Sequence, residues 1–127
     1  MVYLITGKKG AGKTEYAKRL GAELELSGQK VYYLDGDVFR LENQNNDYSD
    51  EGRIKNLMAA ASVAAEKERD SDIVLMSFVS PKKEWRDKMR DLWKSSRVIY
   101  IPGGTLWEGT SYERPLEEEL NTRENEF

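Results

Sequence analysis

Apolar residues along the chain fall into short continuous runs separated by longer stretches with helical spacing. Residues 2–6 (VYLIT), 31–34 (VYYL), 73–79 (IVLMSFV) and 98–101 (VIYI) are rich in β-branched and aromatic side chains and show no clean polar alternation. Runs of that kind predict strands buried on both faces, as in a parallel sheet. Between Thr14 and Ser27, Ala17, Leu20 and Leu24 recur at helical spacing, and Gly28 is placed to end the helix as a left-handed cap. A second helix is expected from about Asp50 to Arg69, where Ala59, Ala60, Ala61, Ala64 and Ala65 permit close approach to a sheet. A third is expected to begin at Ser80-Pro81, a capping residue followed by proline in the first turn, with Trp85, Met89 and Leu92 on one face. The order βαβαβαβ predicts an open, doubly wound α/β domain with right-handed crossovers. Residues 42–50 (ENQNNDYSD) are polar and Asn-rich and read as a loop. Residues 1–116 are expected to form one domain, and the acidic tail, 117–127, to be loosely held.

Composition narrows the chemistry. With 127 residues and 39% hydrophobic content, the chain has room for one small core. A formal charge of −3, with both signs interspersed ahead of the acidic end, gives no footprint for nucleic acid. The absence of Cys and His removes disulfides, thiolate metal sites and the commonest general base, leaving carboxylates, lysines, hydroxyls and backbone amides. No apolar run approaches the length of a signal peptide core or a membrane span, so a cytoplasmic protein with no membrane partner is expected.

Directly after the first strand stands GKKGAGKT, Gly7 to Thr14, a full match to G-x-x-x-x-G-K-[ST]. By ordinary residue usage such a match arises by chance in on the order of one chain of this length in a few hundred. Here it also lies between a strand and a helix, the setting in which backbone N–H groups wrap a polyphosphate at a helix N-terminus. The expected architecture is therefore the three-layer P-loop nucleoside triphosphate hydrolase/kinase fold with a mainly parallel sheet. The ATP-binding candidates are Gly7, Lys8, Lys9, Gly10, Ala11, Gly12, Lys13 and Thr14. Lys13 would reach the β- and γ-phosphates and Thr14 would ligate Mg²⁺. Lys8 and Lys9 read equally well as solvated loop charges.

The second strand ends in LDGDVFR, which sets Asp35 and Asp37 where side chains face the ligand crevice of a parallel sheet. The third strand carries Ser77 and Ser80 in MSFVSP and no acidic residue. One of the two aspartates must then orient the Mg²⁺ waters, and the other can take a proton from an attacking hydroxyl. The catalytic candidates are Lys13, Asp35 and Asp37; the metal candidates are Thr14 and Asp35. Arg40 would bind an anionic group on the acceptor, with Arg53 and Asn56 adding a second cationic fork at i and i+3. A local Asp37–Arg40 ion pair and a solvated helix face are the plain alternatives.

The series GKKGAGKT, LDGDVFR, Tyr48 to Leu57 (YSDEGRIKNL) and IVLMSFVSP, with Arg86 five residues after Pro81, resembles the adenylylsulfate kinases over roughly residues 3–101 and again faintly over 107–115. The P-loop is generic; the combination with D-G-D-x-x-R and S-x-x-x-R-x-x-N-L is more specific. The resemblance implies transfer of the ATP γ-phosphate, with Mg²⁺, to the ribose 3′-hydroxyl of adenosine 5′-phosphosulfate. It implies that Asp37, Arg40, Arg53 and Asn56 hold that nucleotide acceptor and that Val79 and Ser80 contact it. It further implies that Tyr48 stacks on the acceptor adenine with Trp107 opposite, although single aromatic residues also simply pack.

The chain departs from the family after the fourth strand. IPGGTLWEG runs straight to the acceptor-side motif without the R-D-P-K-G-L-Y segment and basic helix that form a lid, and the chain ends where the family continues through another strand and helix. Lids exclude water and complete the charge clamp. Weak donor-base discrimination and some uncoupled ATP hydrolysis are expected, with Gly103 and Gly104 letting the short loop close partway. Two other readings stand beside a minimal adenylylsulfate kinase: a kinase for another nucleotide or anionic metabolite, and a non-catalytic nucleotide-binding regulatory protein. Trp93 and Leu106 are candidates for a homodimer surface or for packing.

Overall fold

The computed structural model describes residues 1–106 and 109–127. Its elements run β1 (Val2–Thr6), α1 (Lys13–Leu26), β2 (Val31–Asp35), α2 (Gly36–Glu42), α3 (Asp50–Lys67), β3 (Ile73–Ser77), α4 (Lys83–Arg90), β4 (Ser95–Tyr100), a 3-10 turn (Glu117–Leu120) and β5 (Arg123–Glu124). The sheet order is β2-β3-β1-β4-β5, parallel except for the antiparallel β4–β5 pair.

Alternation of buried side chains across this sheet builds three layers. Val2, Leu4, Leu34, Val74, Met76 and Val98 pack on one face with Leu57, Ala60, Ala61 and Ala64 of α3 and with Trp85 and Met89 of α4. Ile5, Ile73 and Leu75 point the other way, onto Ala17 of α1. The central strands β1 and β3 carry no polar face because both their faces are covered. The register pairs Ile5 and Asp35 with Ser77, and Thr6 with Tyr100, so all four parallel strands end at one edge. The expected α/β P-loop architecture is the one observed, and Gly28 ends α1 at φ 88°.

Several expectations are corrected. α4 does not begin at Ser80-Pro81: Lys82 is its N-cap, and Ser80 sits at φ 43° because the carbonyls around it are drawn into tertiary hydrogen bonds. The helix is one turn shorter than the apolar spacing suggests, which leaves Leu92 beyond its end and 39% exposed. Trp93 offers no surface to a second copy, being fully buried with its indole N–H donating to the Ala61 carbonyl at 2.9 Å. The acidic end is not loosely held. Glu119 is buried against Arg86 at 2.8 Å, Arg90 donates to the carbonyls of Glu119 and Asn121, and β5 extends the sheet. Among the described residues, no helix is long and apolar enough to cross a membrane.

Candidate functional site

The loop between β1 and α1 turns through Gly10 at φ 77° and Gly12 at φ 100°, left-handed conformations that side chains adopt only with strain. No atom lies near where a Cβ would stand at either, so backbone conformation sets the need for glycine there. Lys13 arches back over this loop and donates from Nζ to the Lys8 carbonyl at 2.9 Å. Lys8 lies outside the crevice lining, whereas Lys9 and Lys13 line it. Burial holds the Lys13 ammonium below the ordinary lysine range, opposed by the nearby charges of Asp37 and Asp35.

The two aspartates have different surroundings. Asp35 N-caps α2, its Oδ1 accepting from the backbone N–H groups of Asp37 at 3.0 Å and Val38 at 3.2 Å. Its Oδ2 accepts from the Thr14 hydroxyl at 2.8 Å and the Ser77 hydroxyl at 3.2 Å. Four donors therefore converge on Asp35. The Asp37 carboxylate accepts no hydrogen bond among the described residues and lines the crevice. Helix α2 itself has no counterpart in the sequence reading; seven residues are too few for a periodic signal, and the cap that starts it is one of the residues read as chemistry.

Arg40 does not pair with Asp37. Its guanidinium donates to the Asn45 and Asp47 carbonyls at 3.3 and 3.1 Å and lies 4.5 Å from the Tyr48 ring centre, tying the Asn-rich loop to α2. Arg53 is mostly covered, 4.0 Å from Asp50 and 5.9 Å from the Trp85 ring. Asn56, one turn along α3, is buried. All four residues line one cavity of about 360 Å³ with Thr14, Asp35, Asp37, Val79 and Ser80. Among the described residues, four cations, Lys9, Lys13, Arg40 and Arg53, line it with two carboxylates, a balance suited to anionic ligands. Trp107 lies outside the described residues.

Ser80 carries two marks of strain. Its left-handed backbone costs about 1–3 kcal/mol in a non-glycine residue. Its buried Oγ has no hydrogen-bond partner among the described residues, although it lines the cavity.

The sequence reading missed Thr105, Leu106 and Thr110, which also line the crevice. Thr105 donates its N–H to the Lys9 carbonyl at 2.8 Å, so the short Gly103–Gly104 turn lies on the P-loop. The glycine pair was the available signal; its docking partner was not. Oxygen ligands are the donor set a hard cation takes. Thr14 and Ser77 hydroxyls gathered on one carboxylate fit Mg²⁺ held through waters and phosphates. No cluster of three or more carboxylates exists among the described residues to form a cage.

Comparison with known proteins agrees with this geometry. The family model for adenylylsulphate kinase matches residues 1–103. A probable adenylyl-sulfate kinase of Archaeoglobus fulgidus is 39% identical over 90 residues, 70% of this chain and 58% of the relative. That of Aeropyrum pernix is 33% identical over 102 residues, 80% of this chain and 56% of the relative. The chain thus spans a little over half the length of these two curated relatives. A solved structure of the Mycobacterium tuberculosis APS kinase CysC, 25% identical, aligns with a TM-score of 0.73 over 90% of this chain and 78% of that one. P-loop, paired aspartates and matched sequence together mean that the chain belongs to the adenylylsulphate kinase family.

Proposed function

We propose that the crevice transfers the γ-phosphoryl group of MgATP to the ribose 3′-hydroxyl of adenosine 5′-phosphosulfate. The observation that carries this reading is the division of labour between the aspartates: Asp35 is fixed beside the Thr14 hydroxyl by its hydrogen bonds, while Asp37 stands uncommitted in the crevice near Lys13. In this reading the P-loop N–H groups and Lys13 hold the donor phosphates. Thr14, with Asp35 acting through water, holds Mg²⁺, which when bound neutralises charge on the β- and γ-phosphate oxygens. Arg40, Arg53 and Asn56 bind the acceptor's anionic groups, Tyr48 covers its base, and Val79 and Ser80 line its ribose end, with the Ser80 hydroxyl available to a ligand.

Asp37 accepts the proton of the 3′-hydroxyl as its oxygen bonds to the γ-phosphorus. The β,γ-bridging P–O bond breaks and ADP leaves with that electron pair. The turn at 103–105 covers the P-loop but supplies no cation over the transferring group. ADP is therefore expected in excess of product.

Incubation with MgATP and adenosine 5′-phosphosulfate, resolved by ion-exchange chromatography, tests the reading. The 3′-phosphorylated product with ADP is expected, and Asp37→Asn should lower kcat by about 10²- to 10⁴-fold, the usual worth of a positioned base, with MgATP affinity nearly unchanged. ADP without that product would move the acceptor to another nucleotide or anionic metabolite. No ADP at all would leave a non-catalytic nucleotide binder.

A further inference from the structure

The segment Val79–Pro81 lies in the crevice wall, and each of its three carbonyls is held from outside the crevice. Thr6 donates its hydroxyl to the Val79 carbonyl and in turn lies 2.9 Å from the Tyr112 hydroxyl. Arg86 donates from Nη1 to the Ser80 carbonyl at 2.7 Å. Glu113 donates its N–H to the Pro81 carbonyl at 2.7 Å. With the carbonyls turned away, the Ser80 hydroxyl is left buried, unpartnered and part of the cavity lining.

Arg86 is fully buried and is itself fixed by Glu119, which accepts from Nε at 2.8 Å and from Nη2 at 3.3 Å. The remaining demand on that carboxylate comes from the Leu116 N–H at 2.7 Å. Glu119 is thus a buried anion surrounded by donors only, and it fixes the plane of the guanidinium whose third N–H group pins Ser80 in its left-handed conformation. A bidentate arginine–carboxylate pair fixes orientation as well as charge.

We infer that Glu119, at the far C-terminal end, is a positioning residue for the acceptor loop, acting through Arg86 on the Ser80 carbonyl. The inference rests on the proposed kinase reading only for its kinetic consequence. It assigns the Glu119 carboxylate a part in acceptor binding and none in donor binding, since its hydrogen bonds lead through Arg86 to the Ser80 carbonyl and not to the P-loop.

Glu119→Gln tests this. The side chain keeps its size, but one oxygen becomes an NH₂ group that must face Arg86, opposite Nε in one orientation and opposite Nη2 and the Leu116 N–H in the other. In the full chain, the KM for adenosine 5′-phosphosulfate is expected to rise about tenfold with the KM for MgATP unchanged. Amide hydrogen exchange over 78–82 is expected to quicken more than in Val98→Ala, a core control compared at equal loss of Tm. Glu119→Asp, which keeps the charge at shorter reach, should move both readouts in the same direction by less, and it serves if the glutamine variant fails to fold. Faster exchange confined to 116–121, with residues 78–82 and the acceptor KM unchanged, would overturn the inference. If the unaltered protein does not phosphorylate the acceptor, the kinase reading fails on its own. Exchange at 78–82 then still decides the relay, quickened exchange supporting it and unchanged exchange refuting it.

Discussion

Replacing Gly104 by alanine should cost more than replacing Gly103, although both glycines sit at positive φ, 78° and 93°. In either variant an alanine held in the left-handed region costs about 1–2 kcal/mol. At Gly103 nothing lies within 4 Å of the added Cβ. At Gly104 the Cβ would stand 2.6 Å from the Lys9 carbonyl oxygen, with the Lys8 Cβ at 3.0 Å and the Ala11 backbone nitrogen at 3.1 Å. These neighbours are mainly P-loop backbone, which cannot swing aside as a long side chain can. The turn must lift, and the Thr105–Lys9 hydrogen bond goes with it. That bond contributes about 0.5–1.5 kcal/mol, so Gly104→Ala is expected to cost about 1.5–3.5 kcal/mol in all. The entropy lost by the unfolded chain on gaining a Cβ is the same in both variants and cancels in their difference. Thermal unfolding should therefore separate the two by about 0.5–1.5 kcal/mol, or roughly 2–8 °C in Tm for a domain of this size. Only Gly104→Ala should also weaken MgATP binding in calorimetric titration. A difference under about 0.5 kcal/mol, which is the ordinary scatter of surface substitutions, would refute the reasoning and detach the turn from the P-loop.

Other outcomes follow from the same geometry. Tyr48→Ala should raise the acceptor's KM by about 5- to 150-fold, the equivalent of about 1–3 kcal/mol of base stacking, and leave MgATP affinity alone; an unchanged KM would remove Tyr48 from the acceptor site. Because burial depresses the Lys13 pKa from 10.5, the folded protein disfavours the ammonium form. The unfolded chain binds more protons between that lowered value and 10.5, so Lys13 lowers stability below the window and its cost fades as pH rises through it. Relative to Lys13→Met, urea unfolding of the unliganded protein should show stability rising with pH across that interval, and parallel pH curves would contradict it.

Among the charged residues, legibility followed the range of the interaction. Gly7 to Thr14 could be read because its chemistry is carried by eight consecutive residues. The Asp35–Asp37 pair could be read as a pair, but the capping contacts that separate their roles depend on α2, and those with Thr14 and Ser77 join residues 21 and 42 positions away from Asp35. Arg40 read as an acceptor contact also braces the loop at Asn45–Asp47, a bond set by a loop conformation that composition does not encode. Ser80 looked like a helix cap because serine before proline usually is one; three tertiary hydrogen-bonding partners, two of them more than thirty residues away, override that local preference.

The sequence by itself determined the alternation of doubly buried strands with helices, the phosphate loop and the placing of paired carboxylates at a strand end. These follow from hydrophobic periodicity and from glycine's access to positive φ, both local properties. Only the tertiary structure decided that the acidic end packs onto the domain through one buried carboxylate. Glu117, Glu118 and Glu119 are alike in sequence, yet only Glu119 is buried. A carboxylate tolerates that position because Arg86 and the Leu116 N–H meet it there, and a charge can leave water only where such partners already stand.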